Sequence, residues 1–215
     1  MDVGLLSLGD LLTDPVTGVR RSHGERHRNL VEQAVAAEAV GFTSVHLGEH
    51  HFCDYILSAP PVVLAAIAER TSTLRLSTGV ALGVNLDPIR IYGHPTSGKR
   101  IGCCTHTYIH ESSQKARQIW EPRYRAYIEW VNDLQARSSG GEMQGLGGFN
   151  FDTLIVNTAM CGSPEEVVDR IGTIKETLHL DTQILMFDMG GLPDTELFDV
   201  IELAGKSVLP AVAAF

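Results

Sequence analysis

The sequence predicts an α/β fold built on a parallel sheet, and three observations support this prediction. Apolar runs of strand length alternate with segments of helical apolar spacing three times within about the first 82 residues. The composition, 44% hydrophobic and 20% charged over 215 residues, is that of an ordinary globular domain. Glycine and proline stand where these segments begin or end, so most boundaries carry a local signal.

The first block of the chain contains three predicted strands and two predicted helices. Short apolar runs bounded by turn residues predict strands over residues 3–10, 43–48 and 74–82. Apolar residues recur at helical spacing from about residue 27 to 40, where Gly41 ends the predicted helix. Pro60-Pro61 suits the first turn of a second helix, which we expect to run to about residue 70.

The second block begins after a break in this alternation. No helix of useful length follows residue 90, and the next strand is predicted over 100–109, followed by a long helix capped by Ser112 or Ser113. We expect the block to extend over residues 100–210, with a junction near 91–99.

The end of this block carries a specific helix-start signal. Ser163-Pro-Glu-Glu166 is a capping box with proline at the first helical position. A strand over 183–188 and a last helix around Leu197–Ala204 follow it. The sequence therefore predicts one domain over residues 1–215 with about five parallel strands, fewer than the eight of a closed barrel of ~250 residues.

Charge and cysteine content exclude several classes of protein. The net charge of −9, from 17 Lys+Arg against 26 Asp+Glu, provides no basic face for nucleic acid. No apolar stretch approaches the ~20 residues of a membrane span, and the N-terminus has no signal-peptide pattern. Four cysteines, two of them adjacent, do not suggest a disulfide framework. We therefore expect a cytoplasmic protein with no nucleic-acid or membrane partner.

The first candidate site is Glu49-His50-His51, directly after the second strand. The carboxyl ends of parallel strands carry the active sites of such folds, and a histidine there can act as a general base near neutral pH. Only one of the two histidines can face the pocket, because side chains alternate along a strand. A structural histidine bound to a neighbouring loop is the alternative interpretation. We expect no metal site, since adjacent histidines diverge and no third ligand has recognisable spacing.

Glycines at two other strand ends are further candidates. At Ser77-Thr78-Gly79-Val80 a glycine would let a flat ring approach the backbone, while the threonine hydroxyl could hydrogen-bond it. A glycine that eases sheet curvature is an equally good explanation. The glycines of Asp188-Met-Gly-Gly191 could bind phosphate, although a plain strand-to-helix turn is the better-supported interpretation.

Taken together, these motifs resemble the bacterial luciferase-like flavin-dependent monooxygenases. Glu49-His50-His51-Phe52, the Pro60-Pro61 helix and Leu76-Ser-Thr-Gly-Val80 resemble the N-terminal third of that family. In the second block, Ile101–Tyr108, Cys161–Glu166 and Leu185–Gly191 resemble its C-terminal third. The histidine motif is the most specific element.

The resemblance implies a TIM-barrel-like (β/α)8 fold that binds reduced flavin at the carboxyl ends of its strands. Oxygen adds to the flavin, and the hydroperoxide attacks a small organic substrate; some members use a deazaflavin coenzyme for hydride transfer instead. It implies FMN as cofactor, a flavin reductase as partner, and a homodimer. His50 matches the catalytic histidine, and Gly79-Val80 matches a strand-3 pair that often carries a non-prolyl cis peptide. The residues implied to bind the cofactor are Ser7, Glu49, Thr78, Gly79 and Val80.

One large departure from the family lies between the two blocks. Strands four to six of the family barrel have no counterpart between Arg90 and Arg100, and those strands supply most flavin phosphate contacts. We therefore expect an incomplete barrel that binds FMN weakly or not at all on its own. The alternative function is that of a non-catalytic α/β association protein, a degenerate relative that acts through exposed sheet edges.

Overall fold

The structure is a computed structural model that describes residues 1–51, 53–80, 101–140, 150–157 and 159–215. The described part contains one sheet of six parallel strands, in the spatial order β3-β2-β1-β6-β4-β5. The strands are β1 (Asp2–Ser7), β2 (Ser44–Gly48), β3 (Arg75–Val80), β4 (Gly102–Ile109), β5 (Ala159–Gly162) and β6 (Thr182–Met186). The sheet is not closed, since β3 and β5 are its two ends. The α/β fold with an incomplete parallel barrel is thus confirmed.

The strand count corrects the prediction of about five strands. The additional strand is β5, which has only four residues, Ala-Met-Cys-Gly. So short a run is too brief for a period-2 pattern to stand out from the apolar residues before it. Pairing of His106–Ile109 in β4 with Ala159–Gly162 reveals it as a strand.

Helices follow most of the strands. They are α1 (His23–Ala39), α2 (Pro60–Ala68), α3 (Ser113–Ser138), α4 (Phe151–Asn157), α5 (Pro164–Leu178), α6 (Asp194–Leu203) and α7 (Leu209–Ala213), with a π-helical turn at Ala204–Val208. The capping box at Ser163 starts α5 as predicted. The predicted start of α1 near residue 27 is wrong by about one turn, because Ser22 and Glu25 form a second capping box.

The register of the strands assigns each side chain to one of two faces of the sheet. Leu6, His46, Met186 and His106 share one face, which we call the histidine face. Helix α3 packs on this face, since the His106 ring lies edge-on to Tyr124 and Tyr127 with ring centroids 5.6 Å apart. The long helix of the second block therefore covers the side of the sheet that a closed barrel would enclose.

The aromatic residues of α3 form the core on this side. Trp120, Tyr124 and Tyr127 are 4% exposed or less, and Trp120 stacks on Tyr124 at 4.2 Å. Phe151 of α4 contacts both rings edge-on. This stripe is packing, which is what the helical spacing of its members predicts. Within the described ranges, no helix is both long and apolar enough to cross a membrane.

Candidate active site at the strand ends

Three neighbouring strands bring the predicted site positions to one edge of the sheet. Ser7 of β1 pairs with Leu47 of β2, which pairs with Thr78 of β3. All three strands are parallel, so their carboxyl ends lie side by side, and residues 49–51 leave β2 at the same edge. The structure therefore brings these candidate positions together, while their role in binding stays a prediction.

The two histidines after β2 have different environments. His50 is half-buried, its backbone N–H donates to the Leu57 carbonyl at 2.9 Å, and its ring lies 4.3 Å from the Tyr55 ring. Burial, and then the nearby His51, lower the pKa of His50. His51 is exposed, and its Nε2 lies 2.7 Å from Glu49 Oε1. The lowered pKa keeps the His50 imidazole neutral at pH 7, so that a ring nitrogen can accept a hydrogen bond or a proton.

Two other predicted residues are already engaged with neighbours. Glu49 is held by His51, as described above. Ser7 is only 2% exposed; its hydroxyl donates to Asp188 and accepts the backbone N–H of Gly9 at 2.9 Å. This hydroxyl is part of a buried network, which differs from the ring-facing position that the resemblance implies.

The end of β3 contains an irregularity at Gly79. Leu47 pairs with Thr78 but Gly48 pairs with Val80, so Gly79 is the extra residue of a bulge, a feature frequent beside active sites. A Cβ at Gly79 would lie 3.0 Å from Leu6 Cδ1 and 3.2 Å from His46 Cβ. Close packing within the sheet thus accounts for this glycine. No cis peptide bond occurs among the described residues, which departs from the family pattern at Gly79-Val80.

A buried ionic network beside these positions was not predicted. Arg26 of α1 forms an ion pair with Asp188, and the two side chains are 2% and 4% exposed. Arg26 Nε also donates to the Asp10 carbonyl at 2.8 Å, and Asp10 Oδ2 accepts the Gly190 N–H at 2.7 Å. Burial raises the pKa of Asp10 to about 6.

Part of this network carried a signal in the sequence. Asp10 and Asp188 each end an apolar strand segment, and β1 and β6 are neighbours, so two carboxylates at one edge could have been expected. Arg26 carried no such signal, because it stands among other polar residues of α1. Only the fold shows that it is buried.

The basic side chains at this edge are relevant to whether a flavin phosphate fits. Arg20 pairs with Asp54 at 2.7 Å, Arg21 Nε donates to Asp194 at 2.6 Å, and Arg26 pairs with Asp188. The junction cations Arg90, Lys99 and Arg100 lie outside the described residues. The described residues therefore offer a half-buried imidazole beside a flat ring, but their nearby arginines are already neutralised by carboxylates.

Two other possible sites do not coincide with this edge. Across the described ranges, no group of three or more His, Cys, Asp or Glu side chains is placed to hold a metal ion. A cavity of about 420 Å³ lies near the end of β4, where Tyr108, Glu196, Asp199 and Lys206 line it. Its lining does not include His50.

Comparison with known proteins gives a sequence match in the first block. Residues 1–93 match the family model described as luciferase-like monooxygenase. The uncharacterised protein y4vJ of Sinorhizobium fredii is 37% identical over 75 residues, which are 34% of this chain and 21% of that protein. The chain thus spans about a fifth of the length of this curated relative. The resemblance predicted from the sequence is confirmed over this block.

Solved structures share the fold over nearly the whole chain. Monooxygenase RslO1 from Streptomyces bottropensis has a TM-score of 0.71 at 18% identity, covering 99% of this chain and 100% of that one. The oxygenating constituent of 3,6-diketocamphane monooxygenase from Pseudomonas putida, in complex with FMN, has a TM-score of 0.68 at 12% identity, with 98% of each chain covered.

A third solved structure also shares the fold. The coenzyme F420-dependent tetrahydromethanopterin reductase from Methanopyrus kandleri has a TM-score of 0.56 at 12% identity, covering 97% of this chain and 98% of that one. At these identities the three structures show a common fold.

Proposed function

We propose that this chain, luciferase-like in its first 93 residues, is a flavin-dependent monooxygenase that acts on a small organic substrate. The observation that carries the proposal is the position of His50, which lies within the matched segment, at the carboxyl end of β2. A reduced flavin bound there would supply two electrons, so that one atom of O₂ enters the substrate and the other leaves as water. A separate flavin reductase would provide the reduced cofactor.

His50 is the residue proposed to handle a proton in this reaction. Its lowered pKa leaves the imidazole neutral at pH 7, so a ring nitrogen can accept or share a proton with a bound group. In the described part of the chain, neither ring nitrogen has a hydrogen-bond partner. Both are therefore available to a ligand, whereas Nε2 of His51 is engaged with Glu49.

FMN is the proposed cofactor, with a deazaflavin coenzyme as the alternative. The Pseudomonas putida monooxygenase in complex with FMN supports the first, and the coenzyme F420-dependent reductase supports the second. The flavin ring would lie beside His50, Thr78, Gly79 and Val80. A phosphate with nearly two negative charges needs several donors, yet the described arginines at this edge are paired.

We therefore expect weak FMN binding by the chain on its own. Losing two or three charge-assisted hydrogen bonds of ~1.5–3 kcal/mol each would weaken binding by several powers of ten. Fluorescence titration of the purified chain with FMN, reduced FMN under nitrogen, and a deazaflavin would measure this. Sub-micromolar binding of FMN by the monomer would overturn the expectation of weak binding, whereas no binding of any of the three at millimolar concentration would overturn the proposed function.

Activity is tested with a matched pair of variants. Oxygen consumption with excess reduced FMN and a panel of aldehydes, ketones and sulfonates is compared for His50→Gln and His51→Gln. We expect His50→Gln to remove substrate-dependent oxygen uptake and His51→Gln to retain most of it. Equal activity in both variants would remove His50 from the proposed role.

The open sheet supports a second candidate function, that of a non-catalytic association protein. Strands β3 and β5 are the ends of the described sheet, and such edges can pair with another chain. Sedimentation of the chain with and without FMN separates the two proposals. A dimer that never binds flavin favours association, while flavin binding that appears only in the dimer means that a second copy completes the site.

A further inference from the structure

We infer that Tyr127 of α3 is a positioning residue for His50 and acts through Tyr55. The inference rests on the proposed function for its consequence in catalysis, but its structural content does not. It links a residue of the second block to the candidate histidine of the first.

The His50 ring has one described contact that can orient it. Its centroid lies 4.3 Å from that of Tyr55, with an angle of 30° between the ring planes. The backbone of this loop is fixed on both sides of the ring, by the His50 N–H to Leu57 carbonyl bond and by the bridge between Asp10 and Tyr55. Within the described ranges no hydrogen bond holds the imidazole, so stacking on Tyr55 is what sets its plane.

Tyr55 in turn is held by two residues of α3. Its hydroxyl lies 2.8 Å from the Tyr127 hydroxyl, and its ring is edge-on to Trp130 at 4.8 Å. Tyr55 is 8% exposed and Tyr127 is 4% exposed, so water cannot readily replace the bond between them. Loss of either hydroxyl would remove the hydrogen bond that anchors the Tyr55 ring to α3, and the ring would then be free to turn.

The test is NMR of the full chain without flavin, with the His50 ring signals assigned by their loss in His50→Gln. We expect Tyr127→Phe to move the ring-current-shifted His50 protons and to raise the pKa of His50 toward the ordinary ~6.5, because a turned Tyr55 admits water to the imidazole. Tyr55→Phe should shift the pKa in the same direction, and the double variant should do no more than either single one.

Tyr124→Phe is the matched control, since it removes a hydroxyl from the same helix one turn earlier. That hydroxyl lies 3.0 Å from His106 Nδ1. We expect the control to leave the His50 shifts and pKa unchanged. Unchanged His50 signals in Tyr127→Phe, or equal changes in Tyr124→Phe, would overturn the inference.

A substitute variant and a background variant complete the test. If Tyr127→Phe does not fold, Tyr55→Phe removes the same hydrogen bond from the other side and is compared with Tyr124→Phe. The nearby His51 also lowers the pKa of His50, so the titration is repeated with His51→Gln as background. Because the readout needs no flavin, a failure of flavin binding would defeat the proposed function and leave this inference standing.

Discussion

The two blocks of the chain differ in the order in which their strands pair. In the first block the strands pair in sequence order, β1 with β2 and β2 with β3. In the second block β4 lies between β6 and β5, so β6 pairs with β4 and not with β5, the strand that precedes it in sequence. Helix α3 also packs on the histidine face, where a complete barrel would have its interior.

The predicted site has contacts in both blocks. The candidate histidine and strand ends belong to the first block, which is the part that matches a known family by sequence. Arg26 and Tyr55 lie beside these positions, and each has a partner in the second block. Arg26 pairs with Asp188, and Tyr55 is hydrogen-bonded to Tyr127. Variants at the contacts between the blocks should therefore have larger effects than variants within either one.

The largest effect is expected at the Arg26–Asp188 ion pair, which joins the two blocks. Arg26→Met leaves Asp188 buried without its cation, and we expect the free energy of unfolding to fall by about 3–5 kcal/mol. Urea unfolding followed by circular dichroism measures the loss. The control is Arg20→Met, whose exposed pair with Asp54 should contribute at most about 1 kcal/mol. Similar losses in the two variants would mean that this contact between the blocks is not important for stability.

A slightly smaller effect is expected from the pH dependence of Asp10. Burial raises the pKa of Asp10 from the ordinary 3.8 to about 6, so the folded state binds an additional proton between these values. Stability from this group is therefore present below about pH 4 and is lost as the pH rises through 6, by about 3 kcal/mol in total. Asp10→Asn should lack this component.

The measurement compares the two proteins at several pH values, because other groups titrate as well. Hydrogen bonds, chiefly from Thr73 and Ser72, lower the pKa of Glu38 to about 2, so its contribution runs in the opposite direction. Subtracting the unfolding free energy of Asp10→Asn from that of the wild type removes such shared groups. A difference that does not change between pH 4 and 7 would contradict the raised pKa.

An intermediate effect is expected from glycines in strands of the two blocks. Gly79→Ala places a Cβ 3.0 Å from Leu6 and 3.2 Å from His46, so we expect a loss of about 1–3 kcal/mol by thermal or urea unfolding. Gly102→Ala in β4 is the counterpart, because its Cβ would lie 3.6 Å from the Thr182 carbonyl, an ordinary contact. This second variant should be neutral or slightly stabilising. A neutral Gly79→Ala would show that the bulge is not tightly packed.

The smallest effects should be the same in both blocks. Ser22 caps α1 and Ser163 caps α5, each in a capping box with a glutamate three residues later. We expect Ser22→Ala and Ser163→Ala to lower the free energy of unfolding by about 1 kcal/mol each, and the Ser→Gly variants by a few tenths. A marked inequality between the two caps would indicate that one box is supported by more than its local geometry.

Local signals explain why some elements could be predicted from the sequence and others could not. The capping box Ser163-Pro-Glu-Glu166 is a complete helix-start signal within four residues, and α5 begins where this motif predicts. Strand β5 and the order of β4, β5 and β6 depend on pairing between distant segments, which periodicity cannot reveal. The same distinction applies to the site. Strand-end positions such as His50 follow from the alternation of strands and helices. The Arg26–Asp188 ion pair joins residues 162 positions apart, and no local pattern predicts it.

The pairing of β1 with β6 has a consequence for how the chain folds during synthesis. Asp2 pairs with Thr182, so β1 cannot pair with β6 until a further 180 residues have been translated. At 5–20 residues per second, a ribosome would need roughly 10–35 s to produce them. During that interval one edge of β1 is exposed to other nascent chains, and long-range pairing of this kind slows folding. We expect the chain to depend on chaperones at this stage more than a protein of its size with local contacts would.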